Sequence, residues 1–193
     1  MNNLINVFLK YGKKRTYKIN EVIFNENEVC DSVSFIYKGK VKISTFSNYE
    51  NEVVINLLNK GEFFGDLLLF SSIPNYLGIG VCLEYTEIFS LKKELLLNFL
   101  SDKSLLEEFL MLITNKGVSL KQTNKLLTHK NIEERVIYYF NHICKKNSEG
   151  YIYYKSITDM ANILSIPRPS LSRVLHKMEK DNKIIIEKNR VKL

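Results

Sequence analysis

Arg168, Ser170, Ser172, Arg173, His176 and Lys177 fall within ten residues of one another, with no carboxylate among them, in the stretch SITDMANILSIPRPSLSRVLHKMEKDNKI from Ser156 to Ile184. All six side chains can donate hydrogen bonds. An arginine guanidinium matches the O6 and N7 acceptors of guanine bidentately, while hydroxyls and lysines suit phosphate oxygens. At helical spacing Ser172, Arg173 and His176 share a face, and Arg168 and Ser170 lie at the N-terminal end, which is the end a recognition helix points at base edges. On the other side Leu171, Val174, Leu175 and Met178 follow i, i+3, i+4, i+7, a single apolar stripe with which the helix can dock. Types and spacing together therefore describe a helix that is anchored on one side and hydrogen-bonds a polyanion on the other.

The surrounding residues supply the elements that would hold such a helix. Ser156 followed by Asp159 is close to a capping box and predicts the start of a preceding helix through Met160, Ala161, Ile163 and Leu164. Pro167 disfavours helix at the residue before it, so that helix stops near Ser165, and Pro169 sits in the first turn of the next, where its missing N–H is harmless. Upstream, IEERVIYYFNHI after Asn131 reads as another helix, followed by a loop at Asn147 to Gly150, and the final IIIEKNRVKL alternates like a β-hairpin. That order is a winged helix-turn-helix. The aromatics Tyr138, Tyr139, Phe140, Tyr151, Tyr153 and Tyr154 are assigned to its core rather than to base stacking.

The first half of the chain has a different grammar. From about Tyr17 to Leu91 short β-type segments recur (SVSFIY, VKISTF, EVVINLL, TEIFSL), separated by Gly, Asn, Glu and Lys clusters, as in an antiparallel β-roll. Val41, Ile43 and Thr45 alternate with Lys40, Lys42 and Ser44, the period-2 signature of a half-buried strand. Beyond Lys92 the pattern turns helical up to about Leu127, with a break expected near its start. Leu106, Ile113, Leu120 and Leu127 recur every seven residues, a seam suited to a second copy of the same helix and hence to a symmetric homodimer. Charge is just as uneven: residues 1–100 hold 11 Lys+Arg and 11 Asp+Glu, whereas residues 101–193 hold 17 and 10, which is the whole net +7. A basic C-terminal half fits a polyanionic partner.

Other classes are disfavoured. No apolar run approaches the roughly 18 residues of a membrane span, and the basic residues Lys10 to Lys18 follow rather than precede the first apolar residues, against a secretory signal, so a cytoplasmic location is expected. Cys30, Cys82 and Cys144 are too widely spaced for a metal knuckle and odd in number, and are read as reduced thiols. With no histidine before His129, a metal-dependent enzyme on the β-roll lacks its ligands. No cofactor and no metal are expected.

Over nearly its whole length the sequence resembles the CRP/FNR family of bacterial regulators. GEFFGDLLLF at Gly61 to Phe70 is similar to that family's turn in the β-roll, and PRPSLSRVLHKMEKDNKI to its recognition helix. The resemblance implies an α+β chain with a cupin-like sensor roll at 1–98, a dimerisation helix at 99–130 and a winged helix-turn-helix at 131–193. It implies double-stranded DNA as partner, with RNA polymerase as a further candidate, and it matches Arg168 and Arg173 to the two DNA-facing arginines of the family motif; Pro169 replaces a common glutamate. The candidate effector pocket is Gly65, Asp66, Leu67, Tyr76 and Leu77. Cyclic-AMP binders carry a glutamate where Asp66 stands and an Arg-Ser pair at the positions of Tyr76 and Leu77, and no Lys or Arg occurs between Phe70 and Leu91, so the counter-charge for a cyclic phosphate is missing. The expectation is a regulator that does not depend on cyclic AMP, its effector unidentified. An RNA-binding or protein-interaction module using the same basic winged helix is the alternative.

Overall fold

The structure is a computed structural model and describes residues 2–46, 52–144, 146–154 and 156–193. The chain divides into two compact units, Met1–Thr114 and Asn115–Leu193. The boundary falls inside one continuous helix, α3 (Lys103–Leu127).

The first unit holds two antiparallel four-stranded sheets. One has the order β1-β8-β3-β6 and is formed by Lys13–Tyr17, Thr86–Lys92, Ser32–Lys38 and Phe63–Phe64; the other has the order β2-β7-β4-β5 and is formed by Val22–Phe24, Ile79–Cys82, Lys40–Phe46 and Glu52–Asn59. Four consecutive residues of β3, Val33 to Ile36, are buried. They are buried because both faces of that strand are covered. Ile36 joins Phe24, Val41, Phe64 and Ile88 in the core between the sheets. On the opposite face Val33 and Phe35 pack on Leu4 and Phe8 of α1 (Asn2–Tyr11), Leu96 of α2 (Lys93–Phe99) and Phe109 of α3. The expected break in the helical stretch lies between α2 and α3, where the Asp102 carboxylate accepts the Leu105 N–H at 3.0 Å and caps the second helix.

One strand corrects the sequence pattern. The pairing of β4 with β5 shifts register between Ile43 and Ser44. The extra residue of this bulge reverses the alternation, so Ser44 is buried, while Ile43 and Thr45 are only half-buried. Ser44 is satisfied there by donating to Glu52 at 2.7 Å.

The second unit is helical with a small three-stranded sheet. Asn131 caps α4 (Ile132–Tyr138) by accepting from the Glu134 N–H at 2.8 Å, and the helix ends in a wider π-type turn over Tyr139–Ile143. There follow β9 (Ile152–Tyr153), α5 (Ile157–Leu164), α6 (Arg168–Lys180), β10 (Ile185–Glu187) and β11 (Arg190–Lys192), the strands ordered β10-β11-β9. Phe140, Ile152, Met160, Leu164, Leu171, Met178 and Val191 form the core. Tyr138 and Tyr139 are buried with them, whereas Tyr153 stands in solvent. The mixed α+β architecture read from the sequence is the one observed.

Candidate nucleic-acid interface

The geometry of the polar face begins with Ser156. Its hydroxyl accepts the Asp159 N–H at 3.0 Å and donates to the Asp159 carboxylate at 2.7 Å, which fixes the start of α5. Ser165 ends α5 in the left-handed conformation (φ 52°, ψ 48°), and the Ile166 N–H closes the turn on the Ala161 carbonyl at 3.0 Å. Pro167 precedes α6, with Pro169 in its first turn. Leu171, Leu175 and Met178 are buried and Val174 is half-buried, so the apolar stripe is spent on docking. The opposite face is left to the solvent: Arg168, Ser172, Arg173, His176 and Lys177 are exposed and Ser170 is half-buried.

Two of these side chains are already partly oriented. The Arg173 guanidinium donates to the Pro169 carbonyl at 3.4 Å and to the Ser170 hydroxyl at 3.3 Å, which leans it toward the N-terminal end of α6. Both contacts are long, so an external acceptor with two lone pairs in the guanidinium plane replaces them at little cost. The His176 imidazole lies 3.9 Å from Glu179, itself on α6.

Other contributors carried no signal in the sequence. Arg135 of α4 donates to three backbone carbonyls, those of His129 at 3.0 Å, Leu164 at 3.3 Å and Leu127 at 3.4 Å, tying the end of α3 and the end of α5 to one side chain. Its acceptors come from three separate segments, which no local spacing reveals. Beside it an open depression of about 420 Å³ has Lys130 and Lys177 in its lining, with Glu133 between α4 and α6. Glu133 is held by Lys183, whose ammonium keeps its carboxyl below the usual carboxylate range. In the hairpin, Arg190 pairs with Glu187 and lies 4.3 Å from the centre of the Tyr151 ring.

The four leucine and isoleucine positions of α3 are not equivalent. Leu106, Leu120 and Leu127 are 37%, 56% and 38% exposed, while Ile113 is half-buried against the core beneath it. Leu110 is exposed on the same helix.

In the sensor unit the five candidate pocket residues split. Gly65 adopts φ +78°, and a Cβ there would stand 2.5 Å from the Ser32 carbonyl oxygen and 3.0 Å from the Cys30 sulfur, so glycine is required by both conformation and space. Asp66 and Tyr76 are buried, but Leu67 and Leu77 point outward, Leu77 being 69% exposed. The Tyr76 ring stacks on Phe24 with centroids 3.7 Å apart and planes at 14°. Burial, and next the Cys30 thiol beside it, push the Tyr76 hydroxyl well above its ordinary value. The remaining hollow is only about 70 Å³, with Arg15, Ser32, Ser34 and Ser90 in its lining. Arg15 is a cation the sequence reading did not place there, because it comes from β1 and not from the stretch after Phe70.

Residues 14–103 match the model of the cyclic nucleotide-binding domain. That match lies within the first unit. The second, helical unit has α5 and α6 joined by a tight turn, with a β-hairpin after them. The cAMP-activated global transcriptional regulator Vfr of Pseudomonas aeruginosa is 36% identical over 62 residues, a match covering 32% of this chain and 29% of Vfr. Among solved structures, CprK complexed with OCPA is 16% identical with a TM-score of 0.77, over 99% of this chain and 90% of that one. The c-di-GMP-responsive regulator CLP of Xanthomonas campestris is 17% identical with a TM-score of 0.65, over 100% and 99%. The catabolite activator protein of Thermus thermophilus is 20% identical with a TM-score of 0.56, over 100% and 90%. At these identities the structures establish a shared fold, over 99–100% of this chain.

Proposed function

We propose that this chain is a transcription regulator of the CRP/FNR type that binds double-stranded DNA through α6, as a homodimer on a two-fold symmetric operator, without requiring cyclic AMP. The observation that carries the reading is the exposed, carboxylate-free run Arg168 to Lys177 on a helix whose opposite stripe is buried. Arg168 and Arg173 read base edges; Ser170, Ser172, His176 and Lys177 engage phosphates and sugars, and Lys130 extends that contact along the same groove. Regulators of this fold, such as CLP and the Thermus catabolite activator, support the assignment. Two-fold symmetry rests on α3, whose exposed leucines Leu106, Leu120 and Leu127 suit a second copy. For such a dimer, half-site centres lie about one helical turn, roughly 34 Å, apart or a multiple of it.

Independence of cyclic AMP is supported by the small size of the hollow and by the residues at 76 and 77, Arg15 of β1 being the cation that lines it. The purine and phosphate of a cyclic nucleotide need room and a counter-charge, but Tyr76 and Leu77 replace the arginine and serine and Tyr76 is folded into the interior.

Recovery of genomic fragments bound by the full chain, followed by competition of the recovered duplex against RNA of the same sequence, tests the assignment. A common palindromic sequence retained against RNA is expected. Preference for RNA, or no enrichment of any duplex, overturns it in favour of an RNA-binding or protein-interaction module. Leu120→Lys places a charge on the exposed seam and is expected to yield a monomer by light scattering at micromolar concentration, with the parent protein expected to be a dimer under the same conditions.

A further inference from the structure

We propose that the interior of the β-roll is a binding site for a phenolic ring, and that Tyr76 fills it in cis as a tethered ligand, holding the Gly65–Phe70 turn in place without a diffusible effector. The ring is not simply one more core residue. Its backbone is laced to the facing segment: the Tyr76 N–H donates to the Glu28 carbonyl at 2.9 Å, the Asn27 N–H to the Tyr76 carbonyl at 2.8 Å and the Cys30 N–H to the Pro74 carbonyl at 2.7 Å. This short ladder turns Tyr76 inward while its neighbour Leu77 faces out. Inside, the ring finds what an aromatic ligand needs, a parallel aromatic face in Phe24 and, in the same core, the Cys30 thiol.

Cys30 passes the contact on. Its thiol donates to the Ser32 carbonyl at 3.3 Å and faces the Gly65 carbonyl at 3.7 Å, at the start of the turn that the sequence reading assigned to effector binding. Gly65 in turn accepts the Leu69 N–H at 2.9 Å. Leu69 belongs to the same core as Phe109 and Leu112 of α3, and Phe70 meets Phe109 edge-on at 5.9 Å. A chain of contacts therefore runs from Cys30, in the core around the phenol, through the Gly65–Phe70 turn to α3, and no part of it needs a small molecule.

Removing the ring empties the site and makes it available to a free phenol, as a cavity left in an apolar core accepts a ring of matching size. The test is Tyr76→Gly titrated with p-cresol by calorimetry and thermal melting. One-to-one binding at roughly millimolar p-cresol or below, with a raised melting temperature, is expected for the variant and not for the wild type or for Tyr76→Phe. If Tyr76→Gly does not fold alone, return of its circular-dichroism spectrum on adding p-cresol serves as the same readout. A second arm separates a ligand-like role from mere packing and rests on the DNA-binding reading. Tyr76→Gly, held below its melting temperature, is expected to bind the recovered duplex about tenfold or more weakly, with p-cresol restoring affinity, while Leu58→Ala in the same core loses stability but keeps affinity. Absence of cresol binding by Tyr76→Gly, equal binding by the wild type, or affinity unmoved by ring removal overturns the proposal. If the wild type binds no duplex at all, the DNA-binding reading fails, and the cresol titration still decides whether the site exists.

Discussion

The two units of this chain treat polar side chains in opposite ways. In the roll they are drawn inward and answered: Ser34 shares a 2.8 Å hydrogen bond with Ser90, Ser44 donates to Glu52, and Tyr76 meets Cys30. In the C-terminal unit the core is apolar and the arginines and lysines of α6 are pushed to the surface with no carboxylate opposite most of them. A side chain whose partners lie within its own unit contributes to holding that unit together. One that is exposed and only loosely held, as Arg173 is, is available to another molecule, and this contrast separates a closed interior from an open polar face.

The sharpest way to break the contrast is to damage each unit and ask which property responds. Ile36→Ala, in the fully buried centre of the roll, is expected to cost about 2–5 kcal/mol of stability and to leave the duplex affinity of the folded protein unchanged; calorimetric melting alongside a binding titration checks both. Arg135→Ala removes a charged donor from three carbonyls and should destabilise the C-terminal unit by about 2–3 kcal/mol, read as a lower denaturant midpoint, with Arg135→Lys recovering only part because an ammonium cannot fork across all three. Arg173→Ala should do the reverse, costing about 1–3 kcal/mol in specific binding and relaxing one base position of each half-site, with the melting temperature little changed. If affinity instead falls equally for every sequence, Arg173 is a phosphate contact and the salt dependence of binding will weaken by one counterion.

The smallest effect concerns acid. The carboxyls of Glu133 and Glu187 are lowered by Lys183 and Arg190 respectively, so each titrates below its unfolded value of 4.5. A group with a depressed folded value stabilises above the unfolded value and loses that contribution as pH falls through the folded one. Stability of the C-terminal unit should thus be flat from neutral pH to about 5 and decline below 4.5, and Glu133→Gln should flatten part of that decline in acid titrations followed by circular dichroism. Both carboxylates remain partly open to solvent, which is why the change is expected to be modest.

Much of the reading face was legible because it is local. The Ser156–Asp159 cap, the stop before Pro167, the placement of Pro169 and the four-residue apolar stripe of α6 all lie within one helical turn or two of the residues they govern, and short-range geometry leaves little freedom there. The seven-residue repeat on α3 was legible, though not the fact that Ile113 leans on the core of the first unit while Leu120 is exposed. Whatever depended on pairing between distant segments was out of reach. The bulge at Ile43 and Ser44 exists only in the register of β4 against β5, and the three carbonyls gathered by Arg135 belong to segments that meet only on folding. In the roll, sequence determined that position 76 carries a neutral phenol and not a cation. Only the tertiary structure decided that this tyrosine turns inward onto Phe24 and Cys30, because the ladder between 27–30 and 74–76 that aims it is made of backbone hydrogen bonds, which side-chain identity does not encode.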